Sequence, residues 1–231
     1  MSSNALQHLA FILDGNRRWA ELNGVSVNDG HRSGGERVRE ITSLLPGYGI
    51  RYVTYYLFST ENWHRPKQEV DFLMSFFCEI FDNFDQACKN NVRFLTIGNT
   101  AILPVNTKTT LQRLVDKTKN STELTIIIAI NYSGRDEIIR ATKKIASDIM
   151  DGKMNVQDIT EKSFESYMDT RDIPFPDAIV RTSEKRISNF LIWQMAYSEM
   201  FFVNKYWPDF NAEDLRSIIH EYSSRKRRYG R

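Results

Sequence analysis

Short apolar runs alternate with helix-length amphipathic segments along the whole chain, and this alternation limits the fold more than any other feature. Strands are expected at 8–14, 51–58, 92–98, 124–131, 177–181 and 199–204, and helices near 31–45, 69–90, 107–119, 134–150, 160–168, 188–197 and 211–223. Parallel strands cannot be joined by tight turns; they need crossovers, which helices supply. The expectation is an α/β fold, a single domain over 1–231 with a mainly parallel central sheet of about six strands flanked by helices. With 231 residues, 41% of them hydrophobic, the chain can bury one sizeable core. Segment 151–159 reads as a surface connection, and no repeat or low-complexity tract interrupts the pattern.

A net charge of +2 sets up no global field that would demand nucleic acid, so no nucleic-acid partner is expected. The positive charge is local, at Arg17/Arg18, Arg32/Arg37/Arg39, Arg181/Lys185/Arg186 and Arg225 to Arg228. Such clusters suit a small anionic ligand or a solvated helix face. Cys78 and Cys88 have no metal-site spacing and read as free thiols of a reducing cytosol. The amino terminus lacks a basic region followed by a long apolar run, and no segment is apolar for the roughly 20 residues of a membrane span. The expected location is cytoplasmic, with peripheral membrane association left open.

Residues 8 to 19 carry the most chemistry. An apolar strand stops at Asp14-Gly15 and passes into the basic helical segment Asn16-Arg17-Arg18-Trp19. In an open α/β sheet this places a carboxylate at the edge where ligands bind. Gly15 permits a tight turn, and the following N–H groups with Arg17 and Arg18 face an anion. An acid amid guanidiniums suits either a helix cap or a metal bridging to phosphate oxygens. A phosphatase of the haloacid dehalogenase type would need a second Asp two positions on, where Asn16 stands.

The helix after Arg65-Pro66 has an unusually wide apolar face. Val70, Phe72, Leu73, Met74, Phe76, Phe77, Ile80, Phe81, Phe84 and Cys88 spread over roughly 240°, against about 100° for a helix lying on one sheet. It needs two apolar partners: the sheet, and a neighbouring helix, a subunit or a long hydrocarbon ligand.

The 8–19 stretch resembles the signature of the cis-prenyltransferases, the undecaprenyl diphosphate synthase (isoprenyl transferase) family. Four further segments match in family order: Gly30-His31-Arg32-Ser33-Gly34, Ser59 to Pro66, Arg181 to Trp193, and Ser198 to Phe202. The resemblance implies a hydrophobic tunnel lined by the Phe-rich helix. It also implies joining of isopentenyl diphosphate to an allylic diphosphate such as farnesyl diphosphate, giving a long-chain polyprenyl diphosphate. Asp14 and Glu199 would hold Mg2+, and Gly15, Asn16, Arg17 and Arg18 would cradle the allylic diphosphate. Arg181, Arg186, Ile187 and Ser188 would bind isopentenyl diphosphate. Trp19, His31, Ser59, Thr60, Glu61, Trp63 and Arg65 match substrate-contacting positions. The family motif would place Asn62 near the lost proton, although an amide is a poor base and His31 titrates more suitably. A homodimer paired through the carboxyl-terminal half, with the Arg225–Arg231 tail reaching a neighbouring site, completes the expectation.

Three departures from the family pattern stand out: Arg17 replaces a usual glycine, Val27 replaces an arginine four residues before His31, and the loop between Arg181 and Arg186 is one residue shorter, with Ser183 at a glycine position. A non-catalytic partner subunit and a shorter-chain cis-prenyl synthase remain the alternative functions. Trans-type prenyl synthases are all-helical with paired aspartate-rich motifs, which are absent here.

Overall fold

The computed structural model describes residues 5–87 and 91–225, and of 83–87 the backbone only. Its elements are β1 (His8–Ile12), α1 (Asn16–Asn23), α2 (Val27–Leu44), β2 (Tyr52–Ser59), α3 (Lys67–Ala87), β3 (Val92–Ile97), α4 (Val105–Thr118), β4 (Leu124–Tyr132), α5 (Gly134–Met150), α6 (Glu161–Glu165), β5 (Ala178–Thr182), β6 (Glu199–Val203) and α7 (Ala212–Ser224). The six strands form one sheet in the order β3-β4-β2-β1-β5-β6, with every pair parallel. Strands β1 and β4 are buried throughout, which is why they read as unbroken apolar runs.

Alternation along the strands sorts the core into two faces. Leu9, Phe11, Val53, Tyr55, Ile126 and Ile128 point to one face, where Ile41, Leu73, Phe77 and Leu215 cover them. Ala10, Ile12, Tyr56, Ile127, Ala129 and Ile179 point to the other, against Phe190 and Leu191. Ser26 starts α2 with a capping box to Asp29, four residues before the expected start. Gly30, Gly34 and Gly35 all lie within this helix. They let α1 and α3 pack closely against it, since a Cβ at Gly30 would lie 2.4 Å from the Asn16 carbonyl oxygen and one at Gly35 2.9 Å from Ile80.

The expected helix at 188–197 does not exist. Ser188, Asn189 and Leu191 have φ of 46°, 61° and 44°, and the segment is a series of turns. Left-handed backbone costs roughly 1–2 kcal/mol per residue. Burial of Phe190 and Leu191 against Tyr56 and Tyr132, at about 1.5–3 kcal/mol each, offsets it. The apolar spacing was therefore real but belonged to a packed loop.

After β1 the chain turns toward β2, whereas β5 leads to β6 on the opposite side. The segments leaving β1 and β5 part at the carboxyl edge of the sheet and open a crevice there. Among the described residues no helix is long and apolar enough to cross a membrane. Phe84 and Cys88 of the expected apolar arc, Ala87 as a tunnel-lining candidate, and the tail beyond Arg225 fall outside the side chains described.

Candidate active site

The crevice opens into a cavity of about 500 Å3 that runs from the sheet edge between the front face, α2 and α3. Its mouth is polar, with Asp14, Asn16, Arg17, Arg18, His31, Asn62, Arg65, Glu69, Arg181 and Arg186 around it. Its depth is apolar, walled by Leu73, Phe76, Phe77, Ile80 and Phe81 of α3, Phe94 of β3 and Ile126 of β4. The wide apolar arc of α3 thus has two uses, because the same helix packs on α4 beside Thr107, whose hydroxyl bonds the Met74 carbonyl.

Asp14 follows β1 by two residues, and Gly15 turns the chain at φ 105°. A Cβ on Gly15 would lie 2.6 Å from the Tyr206 ring, so no other residue fits this turn. Asp14 Oδ2 accepts from Arg181 NH2 at 2.8 Å and Oδ1 from Arg18 NH2 at 3.0 Å. Arg18 also donates to Glu184 at 2.7 Å. Arg181, in register with Ile12 on β1, is nearly buried and donates through NH1 to Ser188 Oγ at 2.6 Å and to the Arg186 carbonyl. Its Nε, Asn16 Oδ1 and Ser183 Oγ are buried without a partner. Polar groups this costly to leave unpaired suit a site completed by a polar ligand.

On the opposite wall, Glu69 gathers two guanidiniums and an imidazole. Arg65 NH1 donates to Oε1 at 3.1 Å, His31 Nε2 lies 3.3 Å from the same oxygen, and Arg17 NH1 is 3.9 Å from Oε2. Burial pushes the His31 imidazole below its ordinary value, against the pull of Glu69, so it is neutral near pH 7. Neutral His31 donates Nε2–H to the Glu69 carboxylate and leaves Nδ1 as an acceptor. Asn62 accepts from the Ser59 N–H at 3.1 Å, which leaves its amide N–H groups for a ligand.

The cavity therefore gathers Asp14, Gly15, Asn16, Arg17, Arg18, His31, Ser59, Asn62, Arg65, Arg181, Arg186 and Ser188 of the expected residues. It does not gather Trp19, Thr60, Glu61, Trp63, Ile187 or Glu199. Trp19 Nε1 donates to Asp209 and Trp63 Nε1 to Asn131, so both indoles brace neighbouring loops. Glu61 turns both oxygens toward Asn189 and Ser133. Burial opposes its charge, but the hydrogen bonds it receives prevail and hold its carboxyl at about 2. Glu199 pairs in register with Ala178, and Ala178 with Leu9, five residues before Asp14. At ~3.3 Å per residue that is roughly 16 Å away along the strands, at the amino edge, where Glu199 is bound to Arg225. One copy of the chain cannot bring Asp14 and Glu199 to one ion.

Sequence reasoning missed Glu69, although its position four residues after Arg65 in the first turn of α3 is a usable signal. It also missed Glu184, which pairs Arg18 and Arg186 and offered no pattern beyond its place between two arginines.

Residues 12–230 match the family model described as "Putative undecaprenyl diphosphate synthase". The chain belongs to the undecaprenyl diphosphate synthase family. An isoprenyl transferase of Clostridium perfringens is 43% identical over 97% of this chain and 89% of its own length. The (2E,6E)-farnesyl-diphosphate-specific ditrans,polycis-undecaprenyl-diphosphate synthase of Micrococcus luteus is 42% identical over 97% of this chain and 91% of its own. Among solved structures, lavandulyl diphosphate synthase from Lavandula x intermedia, in complex with dimethylallyl diphosphate, superposes with a TM-score of 0.96 at 31% identity over 100% of both chains. These relatives bear out the family resemblance, and the prenyltransferase family is the class of enzyme to which the site belongs.

Proposed function

We propose that this family member condenses isopentenyl diphosphate units onto an allylic diphosphate, farnesyl diphosphate being the starter of choice, to make a cis-polyprenyl diphosphate. One observation carries the reading: a guanidinium-rich mouth opens into a cavity walled by aromatic and aliphatic side chains, and an anionic head on a hydrocarbon tail is the ligand shape this serves. A cavity of 150 Å3 holds benzene, so about 500 Å3 holds a tail of on the order of 20 carbons. A farnesyl starter fits, and a much longer product outgrows the cavity at this volume.

Asp14 suits Mg2+ because this ion takes one or two carboxylates and completes its shell with water and substrate phosphates. Among the described residues no group of three or more His, Cys, Asp or Glu could hold a metal unaided, which agrees with an ion that arrives with diphosphate. Bound there, the ion would neutralise charge on the leaving diphosphate. The chain's own part is positioning. Arg18 and the first N–H groups of α1 receive the allylic diphosphate, whereas Arg181, Arg186 and Ser188 receive isopentenyl diphosphate. When the allylic C–O bond breaks, its electron pair leaves on diphosphate. The isopentenyl double bond then forms the new C–C bond, and one proton departs. Asn62, its oxygen already engaged, orients a diphosphate through its N–H groups, and His31 Nδ1 is the acceptor for the proton.

If Glu199 also serves the ion, it does so from a second copy. Strand β6 is one of the two edges of the sheet and carries exposed Phe202, with exposed Tyr197 just before it, which favours a homodimer through this side. Product release at a membrane surface follows from the hydrocarbon tail and needs no spanning helix. Purified chain mixed with farnesyl and isopentenyl diphosphates should release diphosphate only when both are present. Release from neither mixture, with folded protein and added Mg2+, would make the chain a non-catalytic partner subunit instead.

A further inference from the structure

Glu61 and Asn189 sit outside the cavity yet meet each other across 128 positions of sequence. Asn189 Nδ2 donates to Glu61 Oε1 at 2.8 Å, and Ser133 Oγ donates to Glu61 Oε2 at 2.8 Å. Ser133 precedes α5 as its cap residue but makes no side-chain cap bond, because its hydroxyl is committed to Glu61 and to Thr60 Oγ1 at 2.6 Å. Asn189 takes over the cap from another segment. Its carbonyl accepts from Gly134 N–H at 2.7 Å and its Oδ1 from Arg135 N–H at 3.0 Å. These are the first two N–H groups of α5, which the helix itself cannot satisfy. Asn189 achieves this at φ 61°, a conformation that Asn and Asp tolerate better than other side chains.

Each end of this arrangement is one residue from a ligand-facing group. Glu61 precedes Asn62, and Asn189 follows Ser188, whose hydroxyl receives Arg181 and whose carbonyl receives Tyr56 Oη at 3.4 Å. We infer that Glu61, Ser133 and Asn189 form a clip that sets the position of the Arg186–Ser188 loop against Asn62, with Glu61 and Asn189 as positioning residues for the isopentenyl-side diphosphate. The clip rests on the assignment of that loop under the proposed function. It also explains why Glu61 points away from the cavity, since both oxygens are spent on holding two segments together. The site around Asp14 and Arg18 is outside the clip, so the two substrates should respond differently when it is broken.

The test exchanges the polarity of one bond. Asn189→Asp keeps the left-handed backbone and the cap on Arg135 N–H but sets a carboxylate against Glu61. Glu61→Gln alone keeps an acceptor for Asn189 and offers N–H to Ser133 Oγ. In Asn189→Asp with Glu61→Gln, the introduced amide donates to the introduced carboxylate and the clip re-forms. Steady-state kinetics should show KM for isopentenyl diphosphate raised about tenfold or more in Asn189→Asp, within about threefold of wild type in Glu61→Gln, and restored to within about threefold in the double variant. KM for farnesyl diphosphate should stay within about twofold throughout. Amide exchange at Arg135 reports the α5 cap directly and should be unchanged in Asn189→Asp. Absence of rescue in the double variant, equal changes in both KM values, or wild-type kinetics in Asn189→Asp would each overturn the clip. Wild-type protein that elongates nothing would instead overturn the proposed function and leave the exchange readout to judge the cap.

Discussion

Asp14→Ala separates what the carboxylate does for the fold from what it does for chemistry. In the resting protein its two oxygens are divided between Arg181 and Arg18, whose side chains are 4% and 40% exposed. Removing one partner of a fully buried ion pair costs about 3–5 kcal/mol, whereas an exposed pair contributes about 0–1 kcal/mol. Asp14 is itself a quarter exposed, and Arg181 keeps Ser188 Oγ and the Arg186 carbonyl as acceptors. The expected loss is therefore ~2 kcal/mol, or a fall of about 4–8 °C in Tm for a domain of this size. Inorganic diphosphate in EDTA must compete with Asp14 for both guanidiniums in the wild type but meets them free of that carboxylate in the variant. Calorimetric titration should then show binding about tenfold tighter in Asp14→Ala, a gain of ~1.4 kcal/mol. Turnover with Mg2+ should fall more than about tenfold. A variant as stable as wild type that binds metal-free diphosphate no tighter would refute the claim that Asp14 holds the two arginines in place.

Three other substitutions probe separate parts of the molecule. His8 lies buried between Thr54 Oγ1 and the Pro174 carbonyl, and burial lowers its pKa from 6.5 to about 4 against the pull of that carbonyl and Asp177. Between these values the unfolded chain binds more protons than the folded one, so stability is lost as pH falls, by up to ~1.4 kcal/mol per unit; urea midpoints from pH 7 to 4 should flatten in His8→Asn, and an unaltered slope would assign the acid sensitivity elsewhere. Ser183 combines φ 74° with a buried, unpartnered hydroxyl. Ser183→Gly should raise stability by ~1 kcal/mol after allowing for glycine's backbone entropy, and a destabilised variant would contradict that account. Ile80 lines the cavity against Gly35, so Ile80→Trp should shorten the product while the first condensation stays fast; an identical product ladder would remove Ile80 from the tunnel wall.

The sheet was legible because its central strands are buried on both faces and most strands are separated by helices, which leaves little choice of topology. The polar mouth was legible for a related reason: Asp14-Gly15 and Arg181 end neighbouring strands, and a sheet edge must display what ends its strands. The loop at 188–197 was misread because an apolar run with near-helical spacing cannot reveal three left-handed residues, which tertiary burial stabilises. Glu199 was correctly placed at the start of a strand, but its distance from Asp14 depends on register across β1, β5 and β6, and no local pattern encodes that. Glu61 matched a ligand-facing position in sequence. Its real partners, Ser133 and Asn189, lie 72 and 128 positions away.

The central claim is that one site seats a diphosphate head beside Asp14 and threads its hydrocarbon tail along α3 while isopentenyl units are added. Purified protein should be incubated with farnesyl diphosphate and labelled isopentenyl diphosphate, with Mg2+ or with EDTA, and the extracted products separated by chain length. A ladder of products longer than the starter, formed with Mg2+ and absent in EDTA, is the predicted result; no labelled product under either condition, from folded protein that still binds diphosphate, would contradict it.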